Sequence, residues 1–226
     1  MKRTWCIGQL NSEFIARMEQ ILHLYRLPYD AAYPLVCFDE RPCFLIADTV
    51  EPLSMQSGQV AKEHYAYQKN GSCCLLAAIE PGTGNRLAQV YEQRTKRQYA
   101  LFMKQLAAKY PHAIKILVVQ DNLNTHTISA FYETFPAHQA FELSQRFQFF
   151  YTPKAASWLN MIEIEFSALA KQCLKRRIPT IQKLAAEVLA LVNERQQKKI
   201  KINWQFSIQS ARDKLARRYR EINPDN

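Results

Sequence analysis

The chain has 226 residues, of which 48% are hydrophobic and 22% charged, a globular composition that excludes wholesale disorder. Its length predicts one sizeable domain with an appendage. The sequence contains no apolar run of the roughly 18–20 residues needed to cross a bilayer, and no apolar signal-peptide segment. We therefore expect a cytoplasmic protein with no membrane partner.

The formal net charge of +10 lies almost wholly in the last quarter of the chain. Residues 1–170 carry 16 basic and 15 acidic side chains, whereas residues 171–226 carry 14 basic and 5 acidic ones. A solvated helical face is the simplest explanation of a single charge run. An excess this local favours a polyanionic partner, and nucleic acid is the commonest one.

The six cysteines show no spacing typical of metal ligands, and none forms a C-x-x-C pair. Adjacent Cys73 and Cys74 lie in a predicted strand, where successive side chains point to opposite faces. We expect the cysteines to be small buried hydrophobic residues in a reducing compartment.

The pattern of apolar residues predicts five strands and six helices. In chain order, the predicted strands cover residues 35–38, 72–80, 87–91, 114–119 and 147–151. The predicted helices cover residues 12–26, 96–110, 127–135, 157–175, 180–197 and 208–220. Three strands joined by short turns predict an antiparallel meander, and the later alternation with helices predicts parallel strands in the same mixed sheet.

Local signals add detail between and at the ends of these elements. Ser12 is a candidate N-cap of the first helix. Residues 41–70 predict a loop or a short insertion, and Asn70-Gly71 predicts a hairpin turn before the second strand. Pro179 separates the two helices around it, and Thr180 is a candidate N-cap of the second.

Two of the predicted strands end in aspartate. Asp39 follows the first strand, with Glu40 beside it, and Asp121 follows the fourth. Ligands bind at strand ends in open α/β sheets, so the two aspartates lie close together if these strands are neighbours. Adjacent carboxylates repel each other unless a cation compensates, and oxygen ligands suit Mg²⁺ or Mn²⁺. A helix cap or a loop turn is the alternative for each aspartate alone.

A third carboxylate is available on the predicted helix 157–175. Its buried stripe consists of Leu159, Ile162, Phe166, Leu169 and Cys173. Glu163 and Glu165 flank this stripe at similar angles on opposite sides. Periodicity allows either side chain to reach over the edge of the sheet and does not choose between them.

Three sequence blocks resemble the catalytic blocks of DDE transposases, in particular those of the bacterial insertion-sequence branch of the Tc/mariner superfamily. The blocks are VCFDE at 36–40, VVQDNLNTH at 118–126 and YTPK at 151–154 continuing to SWLNMIE at 157–163. The resemblance runs from about Trp5 to Tyr219, which is almost the whole chain.

The resemblance implies a ribonuclease-H-like α/β fold, a mixed five-stranded sheet flanked by helices. We expect an N-terminal helix and linker in residues 1–30, the catalytic core in residues 31–178, and a basic helical C-terminal extension in residues 179–226. This fold agrees with the strand order that the apolar pattern predicts independently.

The resemblance also implies the chemistry of metal-assisted phosphoryl transfer. By position, the catalytic and metal-binding triad is Asp39, Asp121 and Glu163, with Glu165 as the alternative third member. Two Mg²⁺ or Mn²⁺ ions would serve cleavage of double-stranded DNA at transposon ends, followed by strand transfer into target DNA. The separation of 42 residues between Asp121 and Glu163 is longer than usual for the family, which we attribute to residues 133–146.

Further residues near these blocks are candidates for supporting roles. Glu40, Asn122 and His126 could orient an aspartate, a metal-bound water or DNA; capping of the next helix is the alternative for the latter two, and simple exposure for Glu40. The candidate phosphate contacts are Lys154, Lys171, Lys175, Arg176 and Arg177. Solvent exposure is the alternative for Lys154.

The chain departs from the family in one respect, because these transposases usually carry an N-terminal helix-turn-helix arm. Only 38 residues precede Asp39 here, and they predict one helix at most. We expect a catalytic half that binds DNA and is a homodimer when active. It is a frame-split product, a degraded element, or a domain paired with a separate helix-turn-helix polypeptide. Two other functions compete: a cleavage-inactive DNA-binding remnant or inhibitor, and another ribonuclease-H-like nuclease.

Overall fold

A five-stranded mixed sheet organises the computed structural model, which describes residues 10–225. In chain order, the strands are β1 (Leu35–Asp48), β2 (Tyr67–Glu80), β3 (Asn85–Tyr91), β4 (Ile116–Gln120) and β5 (Phe147–Tyr151). Across the sheet their order is β3-β2-β1-β4-β5. The pairs β3–β2 and β2–β1 are antiparallel, and the pairs β1–β4 and β4–β5 are parallel. The predicted meander is confirmed, and the first and fourth strands are neighbours, as the expected proximity of Asp39 and Asp121 requires.

Helices cover both faces of this sheet. They are α1 (Ser12–Leu24), α2 (Lys96–Lys109), α3 (Ser129–Thr134), α4 (Ala137–Gln145), α5 (Ile162–Gln172), α6 (Ile181–Gln197) and α7 (Ile208–Ile222). Apolar side chains of α5 and α6 pack on one face, and those of α2, α3 and α4 pack on the other. A third cluster joins α1 to α7. Within the described residues, no helix is long and apolar enough to cross a membrane.

The first strand is longer than its apolar pattern predicts. The prediction that it ends at Asp39 and Glu40 is wrong, because β1 continues to Asp48 through pairing with β2. Asn70 and Gly71 therefore lie inside β2 rather than in a turn, next to a register shift in the pairing with β1. Gly71 has a φ of 114°, a conformation that favours glycine and suits this irregularity.

Other differences are local. The predicted helix 157–175 is a short 3-10 helix, Ser157–Leu159, followed by α5, and the segment attributed to the long spacing contains α4. Asn11, not Ser12, caps α1, since its side-chain oxygen accepts a hydrogen bond from the Phe14 backbone N–H. Five cysteines are buried and free, as expected for reduced hydrophobic residues, while Cys6 lies outside the described residues.

Asn160 joins the central strand to the start of α5. This side chain is 1% exposed, and its amide nitrogen donates to the Phe38 carbonyl oxygen over 2.8 Å. Its own backbone oxygen accepts from the Glu163 N–H at 3.1 Å. Asn160 therefore fixes the first turn of α5 against the residue that precedes Asp39.

A buried ion cluster joins α5, α6 and β3. Glu165 is 2% exposed, and its two carboxylate oxygens accept hydrogen bonds from Arg86 at 2.9 and 3.1 Å and from Arg195 at 2.8 and 3.1 Å. Arg86 also donates to the backbone oxygens of Gly84 and Ile200. Burial raises the pKa of Glu165, but the two guanidinium groups outweigh burial and hold that pKa below its usual value.

We expect Glu165→Gln to lower the free energy of unfolding by about 3–5 kcal/mol, because it leaves two buried guanidinium groups without a counter-charge. Urea denaturation followed by circular dichroism measures this loss. The control is Glu13→Gln, which removes the exposed ion pair with Arg17 and should cost no more than about 0.5 kcal/mol. Equal losses in the two variants would contradict a structural role for the cluster.

We expect Asn160→Ala to lower the free energy of unfolding by about 1–3 kcal/mol, since it leaves the buried Phe38 carbonyl unpaired. The same urea titration reports the change. Asn203 is exposed, so Asn203→Ala serves as the matched control and should stay within about 0.5 kcal/mol of wild type. A wild-type value for Asn160→Ala would show that this tie does not hold α5 in place.

Candidate active site

The unequal lengths of β1 and β4 create an open edge in the middle of the sheet. Their parallel pairing ends at Cys37 and Val119, and β4 itself ends at Gln120. The chain of β1 continues beyond that point alongside β2 only. Asp39 lies two residues after Cys37, and Asp121 lies two residues after Val119, the last pair between these strands. Both aspartates therefore lie at the level where β4 has ended and no longer pairs with β1.

Asp39 is a buried carboxylate in a field of other carboxylates. It is 9% exposed, and its Oδ1 accepts a hydrogen bond from the Glu40 backbone N–H at 2.7 Å. Burial raises the pKa of Asp39 to about 7, the hydrogen bond opposes that rise, and the nearby charges of Asp121 and Glu163 add to it. The fold thus brings these three carboxylates into electrostatic contact.

Glu163 and Glu165 leave α5 in different directions. Glu163 is half-buried on the first turn, and its charge acts on Asp39. Both oxygens of Glu165 are occupied by Arg86 and Arg195. Of the two candidates, Glu163 is therefore the one with an acid group free to act at the open edge.

Asp121 is held by a histidine. The Nδ1 atom of His126 lies 2.6 Å from Asp121 Oδ1, and the imidazole ring is fully buried. Among residues 10–225, no group of three or more His, Cys, Asp or Glu side chains is arranged to hold one metal ion. The three acidic side chains thus share one edge and one electrostatic field without forming a closed ligand set.

A line of charged groups continues from His126 on the α2 side of the sheet. Its Nε2 lies 3.4 Å from Glu40 Oε2, and Glu40 Oε1 lies 2.8 Å from Nη1 of Arg94. Burial lowers the pKa of His126, but the carboxylates of Asp121 and Glu40 more than reverse this and raise it to about 9. The imidazole is therefore a cation at neutral pH, placed between two carboxylates.

A groove of about 940 Å³ opens beside Asp121. Asn122 and Lys154 line it together with the start of α1, and both side chains are exposed. Ala155, next to Lys154, has a φ of 60°, so the backbone turns sharply at this wall. Of the three carboxylates, Asp121 lines this groove.

The predicted phosphate contacts divide into two groups. Lys154, Lys171 and Lys175 are exposed. Arg176 forms an ion pair with Glu187, and Arg177 binds Asp48 together with two backbone oxygens in the connection between β1 and β2. The lysines are thus available to a ligand, whereas Arg177 supports the fold.

Sequence reasoning missed two residues of this site. Asn160 lies in the third of the blocks that resemble DDE transposases, and this position could have indicated its importance. Its contact with the Phe38 carbonyl oxygen depends on the packing of α5 and is not visible in the sequence. Arg94 lies in the connection between β3 and α2 and carries no local signal. Only the folded sheet places it beside Glu40.

The fold resembles that of solved transposase structures, although no curated protein matches the sequence significantly. The Mos1 transposase paired-end complex with the left transposon end has 13% identity and a TM-score of 0.54 over 100% of this chain and 66% of that chain. The mariner Mos1 paired-end complex with Mg has 12% identity and a TM-score of 0.55, again over 100% of this chain and 66% of that chain. The chain thus spans slightly less than two thirds of those proteins, and the likeness shows a ribonuclease-H-like fold.

A sequence-family comparison gives the assignment that low structural identity does not. The family model described as DDE superfamily endonuclease matches residues 34–185, about two thirds of the chain. This segment contains all five strands, the three clustered carboxylates and α5. The chain therefore belongs to the DDE superfamily of endonucleases.

Proposed function

We propose that this chain is the catalytic domain of a Tc/mariner-type DDE transposase of the bacterial insertion-sequence branch. It cleaves double-stranded DNA at transposon ends and transfers the freed strand into target DNA. The observation that carries the proposal is that the charges of Asp121 and Glu163 act on the buried Asp39 in a chain of the DDE family. The Mos1 paired-end and strand-transfer complexes share that fold.

The donor set of this edge fits a divalent cation. Asp39 is buried, and its pKa is raised by burial and by two neighbouring acids, so a cation would relieve a repulsion that the fold imposes. Carboxylate oxygens are hard ligands of the kind that Mg²⁺ and Mn²⁺ prefer. We assign metal binding to Asp39, Asp121 and Glu163; two ions held there would activate the attacking oxygen and stabilise the leaving oxygen.

DNA would follow the groove beside Asp121. Lys154 lies in its wall, and Lys171 and Lys175 are exposed at and beyond the end of α5. These ammonium groups suit phosphate contacts that fix the duplex without reading its sequence. Asn122 is exposed on the same groove and can donate or accept at a sugar or phosphate.

The remaining partner and boundary assignments stay predictions. They comprise a homodimer as the active form, a separate helix-turn-helix polypeptide, a cytoplasmic location, and a boundary between core and extension at residue 178. Against the last, α6 buries Leu184, Val188 and Val192 in the same cluster as the sheet. We therefore expect residues 179–226 to fold together with the core.

We expect the wild-type chain to nick a plasmid that carries the genomic DNA flanking its coding sequence, in the presence of Mg²⁺ or Mn²⁺. Asp39→Asn, Asp121→Asn and Glu163→Gln should each reduce the rate of nicking at least about 100-fold, because each removes a charge that balances the metal ions. Gel electrophoresis of end-labelled DNA measures the rate, and circular dichroism confirms the fold of each variant.

Glu142→Gln is the matched control for these variants, since Glu142 is an exposed acid on α4, and its rate should equal that of wild type. A wild-type chain that binds this DNA without nicking it, with either metal, would instead support the inactive-remnant function. Cleavage of RNA–DNA hybrids with no preference for element ends would support a different ribonuclease-H-like nuclease.

We expect Lys154→Ala, Lys171→Ala and Lys175→Ala each to lower the salt dependence of DNA binding by about one unit of slope in log K against log [salt]. Fluorescence anisotropy with a labelled duplex in Ca²⁺, at several salt concentrations, measures the slope. Lys201 is exposed and distant in sequence from the site, so Lys201→Ala is the control. Equal slopes for all four variants would contradict the proposed DNA track.

A further inference from the structure

The two faces of β1 separate the functions of Asp39 and Glu40. Successive side chains of a strand point to opposite faces, and Cys37 packs among the α5 and α6 residues whereas Phe38 packs among those of α2. Asp39 therefore belongs to the face that carries Glu163, and Glu40 belongs to the face that carries His126. Asp121, which follows the end of β4, interacts with both, since it contacts His126 and its charge acts on Asp39.

Contacts within the protein fix the position of the His126 ring. The ring stacks on Tyr99 with a centroid distance of 5.0 Å and an interplanar angle of 25°, and it forms a T-shaped pair with Phe38 with a centroid distance of 5.2 Å. The Gln120 side chain accepts from the Tyr99 hydroxyl and donates to the His126 backbone oxygen. The ring is thus clamped by aromatic packing on its faces and by the backbone of its own loop.

Each nitrogen of this clamped ring faces a carboxylate. Nδ1 is 2.6 Å from Asp121 Oδ1, and Nε2 is 3.4 Å from Glu40 Oε2. Neither Nε2 nor Glu40 Oε1 makes a well-directed hydrogen bond within the described residues, so charge pairing holds that side. Arg94 completes the line, with its side chain 53% exposed and its guanidinium 2.8 Å from Glu40.

We propose that His126 is a positioning residue that fixes the Asp121 carboxylate for metal binding, and that Glu40 and Arg94 hold His126 in place. This inference rests on the proposed function. The hydrogen bond engages Oδ1, while Oδ2 accepts no hydrogen bond from residues 10–225 and the side chain is 31% exposed. One oxygen therefore sets the rotamer of Asp121 and the other stays free for the ion.

The structure gives an alternative explanation to test against, in which His126 is only a core residue. Its stacking on Tyr99 and its burial are sufficient for that role. The two explanations differ in which nitrogen matters. Packing depends on the shape of the ring, whereas positioning depends on the donor that faces Asp121.

Two amide variants separate the nitrogens. In His126→Asn the side-chain NH₂ takes the place of Nδ1 and keeps a donor toward Asp121. In His126→Gln the NH₂ takes the place of Nε2 and keeps a donor toward Glu40 only. Electron paramagnetic resonance of free Mn²⁺, titrated with the full chain, measures metal affinity without requiring DNA or turnover.

We expect His126→Gln to weaken Mn²⁺ binding about 10–100-fold, the range typical of residues that orient a metal ligand. His126→Asn should stay within a few-fold of wild type, even though it removes more of the ring. Glu40→Gln leaves the ring itself in place and should give an intermediate loss, which provides the test if a His126 variant does not fold. His112 is exposed, so His112→Gln is the control and should bind like wild type.

Equal affinities for His126→Asn and His126→Gln would overturn the proposal, as would a wild-type affinity for Glu40→Gln together with His126→Gln. Asp121→Asn distinguishes this failure from failure of the proposed function. If Asp121→Asn abolishes Mn²⁺ binding while His126→Gln does not, only the positioning role is wrong. If Asp121→Asn binds Mn²⁺ like wild type, the metal site is wrong and the positioning role with it.

Discussion

The structure depends on a mismatch in length between two neighbouring strands. β4 stops at Gln120, while β1 continues for nine residues beyond Asp39, where β2 is the only strand paired with it within residues 10–225. A parallel strand that ends early leaves its neighbour open on one side, in the interior of the sheet rather than at its rim. Acid groups placed there are partly buried and still accessible, a combination that neither a full core nor an exposed loop provides.

Burial and like charge act in the same direction at this edge. Burial is the largest cause of the raised pKa of Asp39, and Asp121 and Glu163 add to it, so the protein without a cation has unfavourable electrostatics where its chemistry would take place. The fold offsets part of this through the imidazolium of His126, which lies between Asp121 and Glu40. A cation bound at this edge would relieve the remaining imbalance.

How much of this site the sequence predicts differs from one acid to the next. Asp121 is predictable because a strand and the residue after it are local features, and chain alternation indicates which strands are parallel. The same reasoning places Asp39 at this level of the sheet, although β1 continues past it to Asp48. Glu163 and Glu165 are not separable by periodicity, since both flank the apolar stripe. The choice depends on Arg86 and Arg195, which lie 79 and 30 residues from Glu165 and reach it only in the folded chain. The length of β1 also depends on pairing, because Arg41 and Pro42 interrupt its apolar pattern and residues 43–47 continue the same strand only through pairing with β2.

The basic C-terminal quarter shows why charge in a sequence is only an indirect guide to binding. Arg195 forms an ion pair with the buried Glu165. Arg177 binds the connection between β1 and β2, and Arg212 pairs with Glu19 where α1 contacts α7. Such arginines use their planar, multiply donating head groups to join elements that are distant in sequence. An ammonium group is a compact and strongly hydrated charge, so lysine is less suited to such buried contacts and more often stays exposed. These three arginines therefore support the fold, whereas Lys154, Lys171 and Lys175 are exposed, so the count of basic residues alone does not locate a binding surface.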